Sequence, residues 1–215
     1  MPIDNIPGVG LPEPLARHQD TFLDVGAPQS KNFNPNDEFT DQKRYWLREL
    51  PALNETQLKS LDLNHRRRLQ SLQGVDELVE DVIEALDEAG VLDNTYVVYT
   101  SDNGYQIGNH RIPAGKCLAY RESANLPFVV RGPGVPVGAT SRLPGTHVDL
   151  APTFLQIAGV EPADFPEQFD GRSLLPQWHD PSGENEAGDS EYAKEIINLE
   201  FVSYNSLDAN EGEIR

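Results

Sequence analysis

The sequence predicts an α/β fold, with helices packed on a sheet, and three observations carry that expectation. A β-branched and aromatic run, Thr95-Tyr-Val-Val-Tyr-Thr100, reads as a buried strand. A second run, Pro127-Phe-Val-Val-Arg131, reads as another strand, stopped by Gly132-Pro-Gly134. Upstream, Val75, Leu78, Val79, Val82, Ile83 and Leu86 fall at the i, i+3, i+4, i+7 spacing of one apolar helix face.

Each element has its own start and stop. The helical pattern runs from Gln57 to Ala89, and Gly90 is a suitable stop. A later helix carries Leu150, Phe154, Leu155 and Ala158, with Asp149 suited to the N-cap and Gly159 to the position after the last turn. Helix, strand, loop, strand, helix is the order of an α/β sandwich. Around this middle part, 57–179, the composition changes. Met1 to Thr40 is rich in Pro, Asn and Asp without periodicity, so 1–56 is expected to be a loop-rich, poorly ordered segment. Residues 180–215 are expected to form an acidic linker, then one strand within Tyr192 to Tyr204. No internal repeat is evident.

Charge narrows the partners. Seventeen Lys and Arg against 35 Asp and Glu leave a net charge of −18 in 215 residues. So acidic a chain is not expected to bind nucleic acid or an anionic membrane surface. An anionic substrate would have to be held by local positive charge against the overall field. His65-Arg-Arg-Arg68 is a basic patch, read as an intramolecular salt-bridging face. The one cysteine, Cys117, leaves no internal disulfide. No apolar run reaches the ~18 residues of a membrane span. Met1-Pro-Ile-Asp-Asn has neither the basic start nor the apolar core of a signal peptide, and Asn54-Glu-Thr56 is a glycosylation sequon that matters only in a secreted form. The compartment is left open.

The chemistry gathers where the first strand ends. Ser101-Asp102-Asn103-Gly104 puts a carboxylate, an amide oxygen and a turn glycine at a strand's C-terminal end. Ligands of open α/β sheets bind outside that edge. Asp and Asn oxygens are hard ligands suited to Ca²⁺ or Mg²⁺. Lys116 could return a positive charge to the same place, where it suits an anionic ester. Plain turn chemistry accounts for Asp-Asn-Gly equally well. His110 lies among Gly108, Pro113 and Gly115 and is either a pocket residue or a solvated loop histidine.

The block from Tyr99-Thr-Ser-Asp-Asn-Gly to Ala114-Gly-Lys116 resembles the sulfatase family. So do Tyr120-Arg-Glu-Ser-Ala-Asn-Leu-Pro-Phe-Val-Val-Arg-Gly-Pro-Gly-Val-Pro136, His147-Val-Asp-Leu-Ala-Pro-Thr-Phe-Leu-Gln-Ile-Ala-Gly159 and Asp170-Gly-Arg-Ser-Leu-Leu-Pro176, in that order and spacing. Ala27-Pro-Gln-Ser-Lys-Asn-Phe-Asn34, Tyr45-Trp-Leu-Arg48 and the stretch from Arg66 to Val79 resemble the arylsulfatase and N-acetylglucosamine-6-sulfatase-like branch.

The resemblance implies an alkaline-phosphatase-like sandwich with a mixed sheet between helices, present here in part. It implies hydrolysis of aryl or glycosaminoglycan-type sulfate esters, in a family often secreted or lysosomal. Asp102 and Asn103 would ligate Ca²⁺, and Lys116 would contact the sulfate. His110 would line the pocket as a sulfate contact or proton donor. Glu122 would be structural or would support a residue of the site from behind, and His147 would be structural. The family's nucleophile is a formylglycine made from Cys-x-Pro-x-Arg. Neither that pattern nor its serine variant occurs here, and Cys117 lacks the Pro and Arg. The chain alone is therefore expected to be catalytically incomplete, with weak or absent metal binding. Two other readings stand beside this one: a phosphoryl or phosphonate hydrolase of the same superfamily, and a non-catalytic truncated homologue.

Overall fold

The structure is a computed structural model that describes residues 10–43, 45–115 and 119–182, with the backbone alone of Tyr45 and Trp46. Lys116, Cys117 and the expected strand within Tyr192 to Tyr204 lie outside the described residues. These residues form two compact units: 10–89 with 100–127, and 90–99 with 128–182.

The first unit is arranged along one long helix. A 3₁₀ turn, Ala16–His18, leads to the short helices α1 (Asp37–Thr40) and α2 (Tyr45–Arg48), then α3 (Glu55–Glu88) and α4 (Arg121–Ala124). α3 starts at Glu55, two residues before the expected Gln57, and Asn54 is its N-cap. Asn54 Oδ1 accepts from Gln57 N at 3.0 Å, and Gln57 Oε1 accepts from Asn54 N at 3.0 Å. That reciprocal capping satisfies two of the helix's orphan donors. Leu61 of α3 packs with Ala27, Leu53 and Ala114, flanked by Phe33, Leu58, Tyr105 and Ile107. Burial therefore falls on the N-terminal half of the helix. The expected apolar face further along is only half covered: Leu78 is 59% exposed, Val79 38% and Val82 43%, while Val75, Ile83 and Leu86 are half-buried.

The loop-rich segment before α3 is tied to it by polar contacts. Gln70 Nε2 donates to Gln19 O at 2.7 Å and Thr21 O at 2.8 Å. Arg17 and His18 both pair with Glu77. Asp62 Oδ1 accepts from Ala27 N at 2.8 Å. Among the described residues, the basic patch makes other contacts in place of the expected salt bridges. Arg68 stacks over the Tyr105 ring, 4.0 Å from its centroid, and Arg66 reaches the Val25 carbonyl.

The second unit holds the sheet. Strands β1 (Val97–Thr100) and β2 (Phe128–Arg131) pair as the two-stranded sheet of the described residues. β1 is half-buried rather than buried, with Tyr99 exposed, and Phe128 and Val129 of β2 are exposed too. Trp178 packs against Tyr96 and Phe128, with ring centroids 6.2 and 6.0 Å away.

A 3₁₀ turn, His147–Asp149, with His147 exposed, runs into α5 (Leu150–Ile157), and α6 (Leu175–His179) follows. Asp149 is the N-cap residue of α5, as expected, but its side chain does not cap that helix: Asp149 Oδ2 accepts from the amide and hydroxyl of Thr146, which caps the 3₁₀ turn. Asp149 Oδ1 also accepts from Arg172 N at 2.9 Å, and Thr153 Oγ1 accepts from Leu174 N at 2.8 Å. Gly171 lies so close to this turn that a Cβ would sit 2.2 Å from Val148 O. These contacts explain why Asp170-Gly-Arg-Ser accompanies the helix.

Candidate active site

The site begins where β1 runs into Asp102-Asn103-Gly104. Gly104 N donates to Ser123 O at 2.8 Å, and Tyr105 N donates to Glu122 O at 2.7 Å. The turn is thus gripped by α4. The approach is so close that a Cβ on Gly104 would lie 2.0 Å from Glu122 O, so only glycine fits. Asp102 is exposed and Asn103 half-buried. Ser101 Oγ lies 3.5 Å from Asp102 Oδ1, and Asn103 Nδ2 donates to Gly104 O at 2.6 Å. With its amine so used, the Asn103 carboxamide has its oxygen left to accept or ligate.

The chain then folds back on itself. Gln106 and Gly115 exchange two backbone hydrogen bonds, of 2.7 and 3.1 Å, which close the loop between them. At its tip His110 (φ 56°) and Arg111 (φ 64°) are both left-handed, a conformation costly for side chains with a Cβ. Gly108 N to Ile112 O at 3.0 Å and His110 N to Asn32 O at 2.7 Å hold it.

The two strained residues anchor different partners. The buried Arg111 donates from Nε to Pro35 O at 2.8 Å, from Nη1 to Leu50 O at 3.0 Å and from Nη2 to Asp37 Oδ1 at 2.6 Å. It clamps the segment before α3 onto the loop. Arg111 was not among the sequence-predicted residues, and nothing local in the sequence marks it.

His110 is 7% exposed. Its ring stacks on Tyr120 at 4.3 Å, with Phe39 at 6.5 Å, and Lys43 lies over the Phe39 ring. Asn32 Nδ2 reaches both Glu122 Oε1 at 2.6 Å and His110 Nε2 at 3.2 Å, and Glu122 Oε2 lies 3.8 Å from the same nitrogen. Burial lowers the His110 pKa; the Glu122 charge opposes this and Lys43 adds to it, so the ring is neutral at neutral pH. Burial pushes the Glu122 carboxyl up, but the Asn32 hydrogen bond, with help from the backbone, His110 and Arg121, leaves it below its ordinary value. A negative Glu122 thus sits beside a neutral imidazole.

The structure therefore brings Asn103, the Glu122 backbone and the His110 cluster into one continuous hydrogen-bonded region through Gly104 and Tyr105. Among the described residues, no three His, Cys, Asp or Glu side chains gather as a metal cluster.

With this geometry, the strand-end loop and the turn that supports it make up the candidate site. The chain belongs to the sulfatase family, whose sequence pattern matches residues 16–160. It is 44% identical over 164 residues to "Sulfatase ppz1" of Metarhizium majus (strain ARSEF 297), covering 76% of this chain and 37% of that one. It is 39% identical over 163 residues to the human "N-acetylglucosamine-6-sulfatase", covering 74% and 28%. Among solved structures it is similar to BT4656, in complex with its substrate D-glucosamine-2-N,6-O-disulfate, at a TM-score of 0.54 and 33% identity, covering 62% of this chain and 26% of that one. The chain thus spans about a quarter to just over a third of these relatives' length. The fold is the alkaline-phosphatase-like one of the family's sulfatases, and this chain contains part of it.

Proposed function

We propose that this chain forms the strand-end half of a sulfuric ester hydrolase site, with Asp102 and Asn103 as cation ligands, Lys116 as the sulfate clamp and His110 as a pocket residue. The observation that carries it is the gripped turn. Gly104 is pressed onto the α4 backbone at a distance only glycine tolerates, which holds the backbone that follows Asp102 and Asn103. A plain surface turn needs no such clamp.

The donor set suits a hard cation such as Ca²⁺. It joins a carboxylate to an amide whose amine is already bonded, and it supplies two of the about six to eight oxygens that Ca²⁺ takes. The bound cation would neutralise charge on the sulfate oxygens. Lys116 would add a compact positive charge with three donors to the same anion, against the chain's acidic field. The formylglycine of the family has no counterpart pattern in this sequence. The 215-residue chain is therefore not expected to turn over esters alone. Relatives acting on N-acetylglucosamine-6-sulfate and on a 6-O-sulfated glucosamine favour a sulfated amino sugar as substrate.

The test is a chimera in which residues 16–160 replace the corresponding stretch of the Metarhizium sulfatase. Hydrolysis of 4-nitrophenyl sulfate, falling about 100-fold with Lys116→Ala, is expected. A folded chimera that cleaves 4-nitrophenyl phosphate and leaves the sulfate intact would instead make this a phosphoryl-transfer site.

A further inference from the structure

We infer that Asn32 is a positioning residue: its carboxamide holds the buried His110 ring as the tautomer protonated on Nδ1, so that Nδ1–H is the ring's donor face. The inference rests on the reading of His110 as a pocket residue, and it follows from hydrogen-bond direction. The Ile107 backbone N–H, which can only donate, points at Asn109 Oδ1 at 3.2 Å. That fixes the Asn109 amide, so its Nδ2 is the donor to Asn32 Oδ1 at 3.1 Å. Ser30 Oγ, 2.6 Å from the same oxygen, agrees. Asn32 must therefore present its Nδ2 on the other side, where one hydrogen goes to Glu122 Oε1 at 2.6 Å and the other to His110 Nε2 at 3.2 Å. Flipping the Asn32 amide would set its oxygen 2.6 Å from a carboxylate oxygen and its amine against the Asn109 amine.

A nitrogen that accepts carries no proton. Nε2 is thus the bare nitrogen, and the neutral ring carries its hydrogen on Nδ1. That Nδ1 is buried and has no hydrogen-bond partner among the described residues. An unsatisfied buried donor costs about 1–3 kcal/mol, a cost that a bound acceptor would remove. The weakly basic oxygens of a sulfate ester are acceptors of that kind. The Glu122 carboxylate would repel the same ester, but Asn32 occupies its Oε1. The order Ile107, Asn109, Asn32, His110 thus converts a backbone amide's fixed direction into a fixed tautomer.

The test is a long-range nitrogen–proton NMR spectrum of the ¹⁵N-histidine-labelled chain at neutral pH, with His110 assigned by its loss in His110→Phe. Nε2 of His110 is expected in the unprotonated range and Nδ1 in the protonated one. Asn32→Asp is nearly isosteric, replaces the donor by an acceptor, and is expected to draw the proton to Nε2. A protonated Nε2 in the unaltered chain, or rapid averaging of the two tautomers, overturns the inference. So does an Asn32→Asp spectrum with Nε2 still unprotonated, because a merely structural Asn32 alters stability without bringing a proton to Nε2. If Asn32→Asp does not fold, the unaltered chain's spectrum decides. Turnover by the chimera reports separately on the sulfatase reading, so either can fail without the other.

Discussion

Gly104 shows how one residue holds the site. The reading from sequence, a turn glycine after Asp-Asn, locates it correctly but supplies the lesser reason. Its position is dictated by the Glu122 carbonyl, a long-range contact that no local pattern announces. Gly104→Ala is expected to lower stability by about 2 kcal/mol or more through overpacking against backbone, seen as a lower thermal midpoint. Arg111 was silent in the sequence for the same reason, since its acceptors on Pro35, Asp37 and Leu50 are 61 to 76 positions away. Arg111→Met keeps the stem but orphans two carbonyls, and a loss of about 3 kcal/mol is expected in chemical unfolding.

His110 carries a pH dependence with a definite sign. Its folded pKa lies below the unfolded value of about 6.5, so in that window the unfolded chain binds more protons. Stability from this group is intact above about pH 6.5 and is lost as pH falls from there through the folded pKa. His65, lowered by its own burial and by Arg68, contributes in the same direction. His110→Phe is expected to flatten the dependence relative to the unaltered chain, when thermal midpoints are compared on either side of about pH 6.5. An unchanged slope would place the ring in water.

At the scale of elements, local signals were legible and burial was not. The periodicity of α3, the two β-branched runs and the helix before Gly159 are all present near their expected bounds, because each depends on near neighbours in sequence. Which face is covered depends on what packs there. The apolar stripe of Leu78, Val79 and Val82 has the right period yet stands open, while Leu61, Asn64 and Gln70 are the buried residues of α3. Asn54 was singled out only as a sequon, although Asn at position 54 with Gln three residues on is a capping box visible in the sequence. Asn54→Ala is expected to cost about 1 kcal/mol, with the loss read as a shift in the urea midpoint and the slope unchanged. Gln57→Ala would remove the reciprocal half of the same box.

At the scale of the whole molecule, four ordered sequence blocks were enough to identify the family, and the structure explains two of them physically. The Asp102–Lys116 block begins in a turn gripped by α4 and passes through the strained His110–Arg111 tip. The Asp170–Pro176 block packs on the start of α5. What the blocks could not show is how the segment before α3 serves the site. Asn32, Pro35 and Asp37 lie in a stretch that reads as featureless loop, yet they hold His110 and Arg111. The net charge of −18 bears on the same question at long range, since the field of the chain opposes an anionic ester, and on the proposed reading a bound cation and Lys116 would have to draw it in.

The most direct measurement is therefore the Ca²⁺ requirement of ester hydrolysis in the chimera carrying residues 16–160, with and without Asp102→Asn. If the strand-end loop holds the cation, removing the charged ligand should raise the Ca²⁺ concentration for half-maximal turnover by about tenfold or more while the thermal midpoint stays put. An unchanged Ca²⁺ requirement in the folded variant would show that Asp102 does not hold the cation, and the loop would then be the plain turn that its chemistry also allows.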